Sequence, residues 1–508
     1  MIINTKKLTV PEYVAGISGF LFGVLMHLFG LVNVIHNSDD IFHHPIGYGA
    51  GVSSGRWMLT ILGEFLKSQN LNYNLGLING LIFIGFLAVS AGILVHIFGI
   101  KSRQLAAILG MALVTFPTAA STLLYKYTSG FYGFAFFLCI LAVWVLPKYK
   151  IGGLLLSACC TALSLGIYQA YLPVTAAVFV LQLYRQTLEE DIGFAKLLRR
   201  GIYACLSLVL GLLLYFALTK LSLVYYGREL SSYQGINSMG QLDLVQLPEL
   251  IITAFRKSFE LPLQDYCNLA PSGLLKIAYW ALYGISAIIV VSILLTRRKK
   301  PGHMIMALIL SVVFPIAVNL IEIMCPTSRI YTLMVFSCVV PLFVPIAFAE
   351  LLPHKGTYSR ILIKISAWVL LVIIALNAYF TNVTYTSTYY VNRQTENYMT
   401  SMIAQIRSTE GFDSETQWAF IGTNADPMID NPWQRVPFYG GAETTNRMVS
   451  AYSWKSWIPV YLGYSIPLAD QATIDAIMQT QQFQDMPLWP AEGAIQMIDD
   501  VIVIKFED

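Results

Sequence analysis

The sequence predicts a polytopic α-helical membrane protein with about eleven transmembrane helices and a small C-terminal α/β domain facing water. Three observations carry that reading. Of the 508 residues, 56% are hydrophobic and 12% charged, whereas a soluble domain carries roughly 25% charged residues. Apolar runs of about 20 residues, long enough for a helix to cross a hydrocarbon core of about 30 Å, recur through the first three quarters of the chain. Acids, amides and tryptophans then return after residue 380.

Taken in order, the apolar runs between charged residues place spans at 13–35, 74–99, 103–123, 131–147, 151–167, 171–184, 201–225, 275–296, 303–323, 329–350 and 360–380. The fifth and sixth are short, and the break between them rests on Tyr168, Gln169, Ala170, Tyr171 and Pro173. Charge decides in favour of two spans, because cytoplasmic loops collect Lys and Arg. With a cytoplasmic N-terminus, the inner loops hold Lys6 and Lys7, Lys101 and Arg103, Lys148 and Lys150, and Arg185 with Arg199 and Arg200. Arg297 to Lys300, and His354 with Lys355 and Arg360, fall on the same side. Merging the two short spans would turn the Arg297 to Lys300 cluster outward.

Three outer segments are long enough to build a site: 36–73, 226–274 and everything after 380. Residues 1–380 therefore read as a transmembrane module and 381–508 as an extracytoplasmic α/β domain. That domain is expected to have a helix around Asn397 to Arg407 and strands at Trp418 to Gly422 and Val501 to Phe506. The first apolar run is too long for a signal-peptide core and reads as a retained anchor. A net charge of +3 gives no footprint for nucleic acid. The seven cysteines lack paired metal-ligand spacing and read as small buried hydrophobes.

Candidate chemistry begins straight after the first span, with His36, Asn37, Ser38, Asp39, Asp40, Ile41, Phe42, His43 and His44. Adjacent acids repel, and desolvation near a bilayer raises a carboxylate pKa, so one of Asp39 and Asp40 is expected to be poised to take a proton from a hydroxyl. The competing reading makes the pair a cap for a helix beginning at Ile41. A further alternative gathers Asp39, Asp40, His43 and His44, spaced four apart in pairs, around a divalent cation. Arginine and lysine alone can neutralise a phosphate leaving group, and no metal is then required.

Cations at outer helix ends form the second group: Arg56 beside Trp57, Lys126 between Tyr125 and Tyr127, Arg228 after two tyrosines, and Arg329 near Glu322. Guanidinium groups suit phosphate oxygens, and interfacial aromatics suit a lipid headgroup. The plainer alternative is that these side chains snorkel to ordinary lipid phosphates. For Arg329 a salt bridge to Glu322 is a further expectation. Near the end, Val501 to Lys505 alternates as a terminal strand, and Trp489 before it is a candidate for stacking on a sugar.

In that order, the Asp pair, Ser54-Gly55-Arg56-Trp57, the Gly166 to Pro173 run and the Trp489-Pro490 to Lys505 stretch make the chain resemble the bacterial glucosyl transferase II family. The resemblance spans nearly the whole chain. It implies a GT-C-like fold in the bacterial inner membrane, a polyprenyl-phosphate sugar donor such as undecaprenyl phosphate glucose, and a cell-surface glycan acceptor such as O-antigen. It also implies inversion at the anomeric carbon, with Asp39 or Asp40 as base and Arg56 on the departing phosphate. Placing Lys126, Arg329 and Arg228 beside Arg56 rests on topology. Trp57, Tyr127, Tyr168, Gln169 and Glu322 complete the expected substrate contacts. The rival readings are a flippase or transporter of lipid-linked sugars, whose marks of inverted repeats and broken midplane helices are missing, and a structural subunit that positions another enzyme.

Overall fold

The computed structural model describes residues 8–189, 193–232, 245–296, 301–326, 328–352, 356–422, 432, 436–442 and 453–507. Helix α1 (Val10–Val32) starts where Glu12 accepts from the Thr9 backbone N–H at 2.8 Å. The first long loop holds α2 (Ser38–Phe42), a 3₁₀ turn at Val52–Ser54 and α3 (Trp57–Ser68), and leads to α4 (Gly76–Ile97). Next come α5 (Arg103–Thr115) and α6 (Pro117–Leu123), bent by 45°. The bend sits at Phe116, whose extended backbone follows from the proline after it.

Helices α7 (Lys126–Val145) and α8 (Lys150–Ile167) follow. Tyr168 then leaves the helical region at φ −153°, ψ 110°, and a 3₁₀ turn at Gln169–Tyr171 leads into α9 (Leu172–Glu189). The fifth and sixth expected spans are therefore separate helices. The remaining bundle elements are α10 (Phe194–Tyr226), α11 (Leu247–Gln264), α12 (Gly273–Thr296), α13 (Pro301–Val318), α14 (Ile321–Met324), α15 (Val340–Ala349) and α16 (Thr357–Ser408). At the centre, α1 packs on α4 and α5, and α4 on α7. A Cβ on Gly110 would overlap the Ala15 carbonyl, so glycine is what lets these backbones touch.

Among the described residues, eight helices are long and apolar enough to cross a membrane, or nine with the bent α5–α6 pair counted as one. That is two fewer than the eleven expected, and the difference lies at 171–184 and 329–350. Helix α9 carries Gln182, Arg185 and Gln186 and is mostly buried inside the bundle, where the pressure to be apolar that lipid exerts is relaxed. Residues 329–350 are interrupted by 3₁₀ turns at Thr332–Met334 and Phe336–Val339. Both segments nonetheless run between the same two levels. One end of each, at Gln169 and at Tyr331, lines the cavity described below. Their other ends meet the α4–α5 loop, where Arg185 packs on Gly99 and Glu350 accepts from the Lys101 and Ser102 backbone N–H groups.

Helix α16 has 52 residues, about 78 Å of helix, more than twice the thickness of a hydrocarbon core. It runs without a break past residue 380, so the helix expected near Asn397 is the far end of this rod. It lies parallel to α1: Asn382 donates to the Met26 carbonyl at 3.1 Å, and ten residues further along α16 Asn392 meets His36, four residues past the end of α1. Its buried stripe changes character along its length. Leu370 and Ile373 give way to Asn377, Thr381, Thr384, Thr388 and Asn392, then to Met399, Met402 and Ile406.

Beyond α16 come β1 (Gln417–Ile421), α17 (Trp454–Trp457), a π-helical turn at Ile458–Leu462, α18 (Gln471–Met478), α19 (Gln481–Asp485), β2 (Ile495–Ile498) and β3 (Val501–Lys505). The sheet order is β1-β3-β2, with β3 parallel to β1 and antiparallel to β2. Both expected strands are present, and β2 is added. Trp489 is not available to a sugar: it is buried with Trp418, Trp457 and Met402 in the core between this sheet and α16. Of the basic residues that oriented the chain, Lys6, Lys7, Arg297 to Lys300, His354 and Lys355 lie outside the described residues.

Candidate functional site

The first long loop, the α6–α7 junction, the α8–α9 break and the stretch after α14 surround a cavity of about 510 Å³. Each wall is a place where helix geometry is interrupted, which frees side chains to turn inward. Asp39, His43, Ser54 and Arg56 come from the first loop. Tyr125, Tyr127 and Tyr132 come from the start of α7, Tyr168 and Gln169 from the α8–α9 break, and Ser328 and Tyr331 from the stretch after α14.

The two aspartates do different things. Asn37 caps α2, its side chain accepting from the Asp40 N–H at 2.8 Å, so neither aspartate is the cap. Successive residues of a helix point about 100° apart. Asp39 is exposed on the cavity wall, whereas Asp40 has no exposed surface and does not line the cavity. Asp40 Oδ2 takes the His36 Nδ1 hydrogen bond, and its Oδ1 accepts from Asn74 Nδ2 at 3.0 Å and the Tyr127 N–H at 3.2 Å. Burial pushes the Asp40 carboxyl up, but His36, the Lys126 charge and Asn74 outweigh it and hold it below the usual carboxylate range. The raised pKa expected of a crowded acid pair is therefore not found at Asp40.

Arg56 sits at the N-terminal end of α3, donating from Nη1 to the Tyr132 hydroxyl at 3.2 Å, with its guanidinium carbon 5.1 Å from the centre of the Tyr168 ring. Tyr132 and Tyr168 stack at 4.3 Å with 14° between their planes. Gln169 Nε2 donates to the Ser54 carbonyl at 2.6 Å and to the Tyr215 hydroxyl at 3.1 Å, which ties the first loop to the α8–α9 break. His43, its ring tilted by 34° and centred 4.4 Å from that of Tyr127, has its pKa lowered by burial against the opposing pull of Asp39 and Asp40.

Besides Asp40, six expected site residues lie elsewhere. Lys126 turns away and donates to the Asn33 carbonyl at 3.0 Å, serving as Asp40's counter-charge. Arg329 is exposed, over the Tyr331 ring at 5.4 Å, and makes no ion pair with Glu322, which accepts from the Tyr266 hydroxyl at 2.6 Å. Arg228 is exposed beyond the end of α10. Trp57 is buried among Leu165, Leu172 and Tyr215. His44 does not line the cavity, and among the described residues no group of three or more His, Cys, Asp or Glu side chains is placed to hold a metal ion, so the Asp39, Asp40, His43 and His44 set is not assembled.

The sequence reading gave no role to His36, Asn74, Tyr132, Tyr331 or Asn392. Only His36 had a local signal, four residues before Asp40.

The family described as glucosyl transferase GtrII matches residues 28–342, well over half of the chain. The chain belongs to this family. As a member of the GtrII glucosyl transferases it is a membrane glycosyltransferase, and every residue that lines the cavity falls inside the matched stretch. No curated protein and no solved structure matches it at a significant level.

Proposed function

We propose that this GtrII protein moves a hexose, glucose by family, from a polyprenyl-phosphate donor to a hydroxyl of a cell-surface glycan, with Asp39 as general base. The observation that supports this most is the sharing of one tyrosine-walled cavity by a carboxylate, Asp39, and a guanidinium, Arg56. Asp39 takes the acceptor hydroxyl proton, the oxygen attacks the anomeric carbon, and the bond from that carbon to the phosphate oxygen breaks. The electron pair leaves with the phosphate, where Arg56 and the tyrosine hydroxyls stabilise the charge. A single displacement inverts the anomeric centre. A permanently charged arginine supplies the electrostatic work of a metal, so turnover in the presence of a chelator is expected.

The reaction belongs on the extracytoplasmic face of the bacterial inner membrane in a GT-C-like bundle of eleven crossings. Parallel α1 and α16 call for an odd number of crossings, and the common levels reached by α9 and by residues 331–350 favour eleven. Residues 381–508 then lie outside, beside the acceptor.

The test supplies the purified protein with polyprenyl-phosphate glucose and an acceptor glycan. Asp39→Asn should lower kcat by about 10²–10⁴-fold, the range a general base contributes, while leaving the thermal transition in place. Wild-type turnover in that variant would remove Asp39 from the reaction.

A further inference from the structure

We infer that Asn392, on the far half of α16, is a positioning residue for the Asp39–Asp40 turn, and that the C-terminal region thereby sets the geometry of the base. The inference rests on Asp39 being the base. Asn392 is buried and makes a two-way clamp on one residue: its Oδ1 accepts from the His36 N–H at 2.7 Å, and its Nδ2 donates to the His36 carbonyl at 2.9 Å. Matching both backbone groups fixes the position and orientation of His36 as a β-ladder pair would, although it lies between helices. The His36 ring in turn holds Asp40, and the amide of Asp40 is held by Asn37. Asp39 sits between these two fixed points, with little freedom to move relative to the cavity.

A second link reaches the same turn from the apolar side. Ile41 has no exposed surface and is packed in the core formed by Met399, Met402, Trp457 and Trp489 rather than in the core of the bundle. One helical turn therefore has its carboxylate in the cavity and its next apolar residue in the core of the C-terminal region. If that region shifts, Asp39 shifts with it. In reactions that depend on near-attack geometry, a misplacement of about 1 Å can cost about 10²-fold in rate.

The test compares Asn392→Ala, Asn392→Asp and Asp39→Asn in the full-length protein, with polyprenyl-phosphate glucose and the acceptor glycan, reading kcat, donor KM and thermal transition for each. Asn392→Ala should lower kcat by about 10²-fold with donor KM unchanged, because Arg56 and the tyrosines are not on the clamp. Asn392→Asp keeps the acceptor for the His36 N–H and loses the donor to its carbonyl, so it should restore part of kcat; should the alanine variant fail to fold, this variant decides. An unchanged kcat in Asn392→Ala, or a kcat that falls only in proportion to folded protein in both variants, would overturn the inference while leaving Asp39 as base. An active Asp39→Asn beside an inactive Asn392→Ala would instead remove the base assignment and leave the clamp standing.

Discussion

Asp40→Asn separates the roles of the two neighbouring acids. The amide has nearly the same shape as the carboxylate. Its oxygen still accepts from Asn74 and the Tyr127 N–H, and its nitrogen can face His36 Nδ1 if the imidazole proton sits on Nε2. Three hydrogen bonds survive but lose their charge. Hydrogen bonds to charged groups contribute about 1.5–3 kcal/mol each, against about 0.5–1.5 for neutral ones. About 1 kcal/mol lost at each of three bonds gives a destabilisation of about 3 kcal/mol, with Lys126 left buried without its counter-charge. Thermal unfolding of the purified variant should show a lowered midpoint, whereas Asp39→Asn should not. The pH dependence follows from the sign of the shift. A carboxyl held below its usual range stabilises the fold at pH above its unfolded value, near about 3.9, and that contribution disappears as pH falls through the lower folded value. The gap in midpoint between wild type and Asp40→Asn should thus close in strong acid. If Asp40→Asn unfolds like wild type while losing turnover as Asp39→Asn does, the division of labour between the two acids is wrong.

Three further perturbations probe the surroundings. Arg56→Lys keeps the charge but loses the planar group over Tyr168 and its geometry toward the Tyr132 hydroxyl, a loss of about 1.4 kcal/mol, so donor KM should rise about tenfold in steady-state kinetics. Gly440→Ala would drive a methyl group into the Thr332 hydroxyl, which donates to the Cys267 carbonyl and accepts from the Gly440 N–H. The overpacking should cost about 1–3 kcal/mol, read as a lowered unfolding midpoint. Under the proposed orientation, a cysteine replacing exposed Gln405 should react with a membrane-impermeant maleimide added to intact cells, and one replacing exposed Lys150 should not.

Much of the bundle was legible because lipid imposes a one-dimensional rule: a helix that faces hydrocarbon must be apolar over its whole length. The rule reads α1, α4, α7, α8, α10, α12, α13 and the first half of α16 from their sequences. It reads α9 less well, because a helix surrounded by protein can carry Gln182 and Arg185, and it does not register the 3₁₀ turns between Tyr331 and Val340. Loop charge recovered the α8–α9 break that hydropathy alone left open. For the site, residue types were legible in the sequence but distances were not. Arg56, Tyr127, Tyr168 and Gln169 come together because breaks in four elements face each other, whereas Arg228 and Arg329 are exposed and do not line the cavity. Partners such as Asn74 and Asn392, 34 and 356 residues from the groups they hold, leave no local trace at all.

The assignment of adjacent acids to opposite environments is a matter of how α2 is rotated, and three side chains set that rotation. Asn37 fixes where the helix starts, Ile41 fixes which face goes into the apolar core, and His36 fixes the end nearest α16. Given an apolar anchor at Ile41 and a turn of about 100° per residue, Asp40 is carried to the buried side with its His36, Asn74 and Tyr127 partners, and Asp39 is left facing the cavity. Rotating α2 by one residue would bury Asp39 instead, away from those donors, at the cost of an uncompensated buried charge. The same contacts that stabilise one carboxylate therefore leave the other facing the cavity, and a pair that looks redundant in sequence is one structural unit with a single cavity-facing carboxylate.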